Sequence, residues 1–199
     1  MIEDVTKSVF FHVTRPVPWN EHQPLKVGDE IAVGHRTNPF FGFYEIPRTI
    51  PVQTPDGQLL SPILTFLSAV RDGRIAASNL AGIAHDATQH YLILARELIW
   101  EEVRCEVAPT APSRQRCIWL SDTVAAAEIW KQRLGGDASL LTLECTGTIA
   151  RVDAGFLLGD AQPLSETYAN ARSYWQGSVS KRAEPETLFR GKATVMSVA

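Results

Sequence analysis

The sequence predicts an α+β fold, and three observations carry that prediction. Segments of strand and helix character follow one another without the regular strand–helix–strand alternation of a doubly wound sheet. No glycine-rich G-x-G-x-x-G or P-loop turn joins a strand to a helix, so a dinucleotide cannot be held here by a Rossmann fingerprint. Eight of the twelve prolines fall between Pro16 and Pro62, which forbids long helices in that stretch.

In chain order, Val9 to Thr14 (VFFHVT) is a run of β-branched and aromatic residues stopped by Arg15-Pro16, which predicts a strand carrying His12. Leu25 to Ile31 predicts a short strand approached by a turn, and Asn38 to Tyr44 an aromatic-rich loop or turn. From Gln89 to Val107 apolar residues recur at helical spacing with no Gly or Pro, which predicts a helix. Arg96, Glu97, Glu101, Glu102 and Arg104 form its charged face. Pro109, Pro112 and Ser113 mark a loop, and Arg116 to Ser121 a second strand. A helix over about Thr123 to Leu134, capped by Ser121 or Asp122, ends at Gly135-Gly136. The last third reads as strand at Ser139 to Cys145, a break at Gly147, a further strand at Arg151-Val152, and a short helix at Glu166 to Trp175. A charged loop from Gly177 to Pro185 leads to a strand with a glycine bulge at Thr187 to Val198.

With 199 residues, 45% hydrophobic and 21% charged, the chain is expected to form one domain over residues 1–199. A formal net charge of −3 gives no global attraction to phosphate backbones or anionic membranes. No apolar run approaches the roughly 20 residues that span a bilayer, and the start MIEDVTKSVFF has no basic region before an apolar stretch. The expected location is the cytoplasm, with a secreted effector as the alternative, and no membrane partner is expected. Cys105, Cys117 and Cys145 are odd in number and form no C-x-x-C pair. His12, His22, His35, His85 and His90 are scattered, and the five-residue step from His85 to His90 is not a helical zinc spacing. No metal is expected.

Three separated segments stand out by residue type and order. Phe11-His12-Val13-Thr14-Arg15 lies in a strand; Ile118-Trp119-Leu120-Ser121 is a strand followed by a helix bearing Trp130; Glu186 leads into Thr187-Leu188-Phe189-Arg190-Gly191. These resemble the three motif regions of ADP-ribosyltransferases, notably the His-Tyr-Glu-like group of poly(ADP-ribose) polymerases, diphtheria-type toxins and small bacterial rifamycin-modifying transferases. As a whole the chain resembles a bacterial domain family within that superfamily, on the Arg96-to-Arg104 helix and Tyr174-Trp175-Gln176-Gly177. The resemblance leaves residues 35 to 110 unexplained. It implies a split β-sheet core with flanking helices, and NAD as substrate.

The chemistry wants such residues. Cleaving the nicotinamide–ribose bond passes through an oxocarbenium-like state, so a fixed anion beside the ribose is worth more there than in the ground state. By resemblance, Glu186 is the catalytic carboxylate, accepting the ribose 2′-hydroxyl and orienting the acceptor. His12 acts with it by holding ribose hydroxyls, and the Val13 backbone clamps the carboxamide. Trp119 and Trp130 stack the nicotinamide, and Thr14 or Ser121 adds a hydroxyl. Val13 stands where the group has glycine, and the tryptophans where it commonly has tyrosine. Glu184 and Glu186 make an E-x-E pair like that of arginine-modifying members, which begin with an arginine strand instead. Arg15, Arg36, Arg48, Arg114 and Arg116 are candidates for a positive rim against the pyrophosphate or a nucleic acid. Phe40, Phe41, Phe43 and Tyr44 plug the core or contact an acceptor.

The expected activity is NAD-dependent mono-ADP-ribosyl transfer to a macromolecular acceptor, protein or nucleic acid, as in a toxin with an antitoxin partner, an effector or a phage-defence protein. The alternatives are an NAD glycohydrolase and a catalytically inactive binding or immunity module on the same fold.

Overall fold

Two long antiparallel strands organise the molecule, and both exceed what their sequence announces. The structure is a computed structural model that describes residues 1–17, 24–157 and 162–199; His22 lies outside them. In order the elements are β1 (Ile2–Thr14), β2 (Glu30–Val33), α1 (Pro39–Glu45), β3 (Thr49–Thr54), β4 (Gly57–Pro62), α2 (Ile63–Arg71), α3 (Leu80–Val107), β5 (Ile118–Leu120), α4 (Val124–Leu134), β6 (Ser139–Asp153), α5 (Leu164–Trp175) and β7 (Pro185–Val198). The fold is mixed α and β with antiparallel sheets, as expected. Among the described residues no helix is long and apolar enough to cross a membrane.

Several boundaries differ from expectation, each for a physical reason. Gly147 does not break a strand: β6 runs unbroken through it and faces β7, with Gly147 opposite Gly191. A Cβ on Gly147 would lie 2.2 Å from the Arg190 carbonyl oxygen, and one on Gly191 2.4 Å from that of Thr146, so only glycine permits this approach. The Asn38-to-Tyr44 segment is a helix, because Asn38 caps it through Phe41 N and Pro39 occupies its first turn. α3 begins at Leu80 rather than Gln89, with Asn79 accepting from Gly82 N. α4 is capped by Thr123, not by Ser121 or Asp122.

The larger sheet has the order β1-β6-β7-β2, with β5 also on β7. β5 takes β7 residues 187–189 and β2 takes 191–194, so both lie along the one edge that β6 leaves open. β5 reaches β1 as well: Phe11 N donates to Ser121 O at 3.0 Å and Ser121 N to Phe11 O at 2.7 Å. This reciprocal pair closes β1, β6, β7 and β5 into a ring. The closure requires β7 to coil, since a straight strand of its length spans roughly 45 Å. Yet Lys131 Nζ reaches Ala199 O at 3.2 Å while Arg133 Nη2 lies 3.6 Å from Glu184 Oε1. Two residues of α4 thus touch the residues that flank β7 on either side, and the glycine pair sits near the middle of the strand.

Alternation along the strands sorts two cores. Phe10, Leu120, Leu143, Ile149 and Phe189 fill the inside of the ring. Ala150, Val152 and Leu188 face outward against Trp100 and Val103 of α3 and Ala171, Tyr174 and Trp175 of α5. α3 and α5 are clasped by Trp175 Nε1 donating to Trp100 O at 2.7 Å and by the Arg172–Glu106 pair at 2.8 Å. A third cluster, Ile63, Phe66 and Ala87, lies with the β3–β4 hairpin.

The loop before β5 is tied to α1 by buried Asn38, whose Nδ2 donates to Arg114 O at 2.7 Å and to Cys117 O at 2.9 Å. Asn38→Ala removes those donors and the cap together. Thermal denaturation should show a loss of about 2 to 3 kcal/mol, and a loss under about 0.5 kcal/mol would show that the loop is held otherwise.

Candidate active site

β5 is the hinge of the site. It is paired on one side with β7, which carries Glu186, and on the other with β1, which carries His12. The three motif strands are therefore neighbours, with Trp119 and Ser121 in the middle. His12 Nδ1 donates to the Trp119 carbonyl at 2.8 Å. Burial lowers the His12 pKa and this bond opposes the shift only in part, so the imidazole is neutral at pH 7. The Trp119 ring meets Phe40 edge-on at 5.5 Å and the Arg114 guanidinium at 5.7 Å.

Arg114 is the centre of a buried polar network. Its Nε donates to Glu97 Oε2 at 3.0 Å, and Arg96 holds the other Glu97 oxygen at 2.9 Å. Arg114 Nη1 donates both to Tyr174 Oη, at 2.6 Å, and to Glu186 Oε1; the Tyr174 hydroxyl donates to the same Oε1. Glu97 is 1% exposed, Arg114 3% and Glu186 8%. Burial pulls the Arg114 guanidinium down, but the Glu186 and Glu97 carboxylates outweigh it and raise its pKa well above the ordinary value. Burial, helped by Glu186, pushes the Tyr174 phenol well up, so it remains a donor. Glu186 Oε2 accepts no hydrogen bond among the described residues.

The expected site residues are brought together unevenly. Trp119 touches both arms: its carbonyl holds His12 and its ring covers the arginine that holds Glu186. His12 and Glu186 themselves alternate to opposite faces of the sheet. His12 pairs with Leu141 and shares the inner face with Phe10; Glu186 pairs with Val152 and shares the outer face with Leu188. No hydrogen bond joins the two. Val13 and Thr14 pair with Leu140 and Ser139 at the end of β1. Ser121 contributes its backbone to the bridge with Phe11. Trp130 on α4 is covered by Arg133 at 5.0 Å, and Arg133 in turn meets Glu184. Glu186 lies inside β7, not in the preceding loop. Arg114 is no part of a surface rim, because its guanidinium is spent on Glu97 and Glu186.

Sequence reasoning missed Tyr174 and Glu97 as site residues and named Arg114 for the positive rim instead of for the Glu186 network. For Glu97 a signal exists: it falls on the buried stripe Ala87, His90, Trp100 and Val103 of α3, not on the solvated face. Arg114 sits in a loop and carries no such signal. Surface grooves among the described residues include one of about 420 Å³ beside Arg15, Leu134 and Gly135 and one of about 160 Å³ beside Val152, Gly177 and Pro185; His12, Trp119 and Glu186 line neither of these. Among the described residues no group of three or more His, Cys, Asp or Glu could hold a metal ion.

Residues 10–199 match the family model described as "Protein of unknown function (DUF2441)". No curated protein matches the chain.

Proposed function

The chain belongs to the DUF2441 family, and from that starting point we propose that it binds NAD on the β1–β5–β7 strands and transfers ADP-ribose to a macromolecular acceptor. The observation that carries this reading is the state of Glu186. A buried carboxylate has one oxygen fixed by two donors while the other takes no hydrogen bond among the described residues. That is the disposition an anion needs if its free oxygen is to accept a ribose hydroxyl and meet positive charge growing on the ribose. The resemblance of the FHVT, IWLS and Glu186-TLFRG segments supports NAD as the donor. Trp119 supplies a flat face beside the carboxylate's partner. His12, bonded to the Trp119 carbonyl, fixes β5 against β1 and acts by holding that strand.

The test is nicotinamide release from NAD by purified protein, with and without cell lysate as acceptor source. Glu186→Gln keeps an oxygen for Arg114 and Tyr174 but loses the charge, and it is expected to reduce release by about 100-fold or more. Circular dichroism and melting verify that the variant stays folded. Wild-type protein that neither binds NAD nor releases nicotinamide removes the reading. Free ADP-ribose formed at full rate in buffer alone identifies a glycohydrolase instead.

A second reading, an inactive binding or immunity module, is favoured by the opposite faces of His12 and Glu186 and by the Arg114 ion pair on the carboxylate. It predicts no rise in melting temperature at millimolar NAD, because a ligand that binds the native state alone must raise it.

A further inference from the structure

We infer that Tyr174 and Arg114 are positioning residues that hold Glu186 by its Oε1 and thereby present Oε2 to the substrate. This rests on the ADP-ribosyl transfer reading and goes beyond the three motif segments, none of which contains either residue.

Four charged side chains, Arg96, Glu97, Arg114 and Glu186, converge where β7 meets α3 and α5, and three of them are almost wholly buried. The surroundings are apolar: Leu188, Val152, Trp100 and Cys117 belong to the same core. An apolar residue at 186 with apolar partners would fill this place without the cost of taking charges out of water, so stability alone does not explain the network. Orientation does. Arg114 is braced from behind by Glu97 and from its backbone by Asn38. Its Nη1 and the Tyr174 hydroxyl meet on one oxygen, which fixes the carboxylate's rotation and directs the second oxygen away from the network. Tyr174 accepts from Arg114 and donates to Glu186, so the phenol ties guanidinium and carboxylate into a closed three-membered set.

Tyr174→Phe removes only that hydroxyl and leaves the aromatic packing of α5. The experiment measures nicotinamide release against NAD concentration for wild type, Tyr174→Phe, Arg114→Lys and Tyr168→Phe. Tyr168 lies on the same helix but bonds Glu102 at the surface, so its variant should match wild type. For Tyr174→Phe the expected result is a kcat lower by about tenfold or more, with KM for NAD within about twofold, in protein that melts as a single cooperative unit. Arg114→Lys keeps the charge but not the fork, and is expected to lower kcat more than Tyr174→Phe. If wild-type protein cleaves NAD and Tyr174→Phe retains full kcat, or loses activity only in step with its folded fraction, the positioning role is overturned while the transferase reading stands. If wild-type protein cleaves no NAD, both fall together.

Discussion

Gly147→Ala is expected to destabilise the protein by about 3 kcal/mol or more, enough to unfold a marginal domain. Two costs combine. The residue sits at φ +156 and a Cβ there would lie 2.2 Å from one backbone atom and 2.7 Å from another, neither of which can step aside as a flexible side chain could. Gly191→Ala should behave alike, its Cβ meeting Thr146 O at 2.4 Å and Gly147 Cα at 2.7 Å. The control is Gly136→Ala, at φ +58 with nothing within 4 Å of the added carbon, where only the backbone term of about 1 kcal/mol applies. Urea titrations of the three variants separate the terms. A Gly147→Ala midpoint equal to that of Gly136→Ala would show that β6 and β7 do not approach so closely in solution.

Arg114→Met carries the second large effect. It leaves Glu97 and Glu186 buried without the cation that joins them, a loss of about 3 to 5 kcal/mol at neutral pH. The pH dependence should reverse between wild type and variant. In wild type, burial alone would raise the Glu97 pKa, but Arg114 and Arg96 outweigh it and hold the carboxyl below its ordinary value of 4.5. A depressed folded pKa contributes stability that is fully present above 4.5 and is lost as pH falls through the lower folded value. Without Arg114 the cost of burying the carboxylate is less opposed, so acidification protonates the carboxyl and relieves the variant. Adding Glu97→Gln to Arg114→Met should recover part of the loss at neutral pH. Denaturation at pH 7 and at about pH 4 decides it; a variant that weakens on acidification as steeply as wild type would exclude the ion pair as the cause.

Where β-branched, aromatic and aliphatic residues cluster, the strands were legible: Val9 to Thr14, Ser139 to Cys145 and Thr187 to Val198 all lie within the observed sheet. The first seven residues of β1 were not. They carry Glu3, Asp4, Thr6 and Lys7, include a register shift between Val5 and Ser8, and place Lys7 at φ 50; Ile2 to Val5 are drawn into the strand by pairing with Gly147 to Ala150 of β6. Asn38 to Tyr44 reads as a loop or turn, yet it is a helix capped by Asn38, which also bonds Arg114 and Cys117 far along the chain. The apolar spacing begins only at Gln89, whereas α3 starts at Leu80, where Gly82 N donates to the Asn79 cap. At the site, motif order was readable and adjacency followed from it. The alternation that sends His12 inward and Glu186 outward was not, because it depends on registers across β6 that no local pattern encodes. The partners of Glu186 were hidden for a related reason: they come from a loop and from α5, 72 and 12 residues away.

The place of β7 in the ring has a consequence for the making of the protein. It is the strand that β6, β5 and β2 all pair with, and it follows every other described strand in the chain. A nascent chain that has emerged only to residue 184 therefore exposes three strand edges with no common partner, and its long-range pairings come late. Glu186 arrives with that same segment. A chain extended only that far thus has neither a finished sheet nor its buried carboxylate, and both are acquired together when β7 pairs.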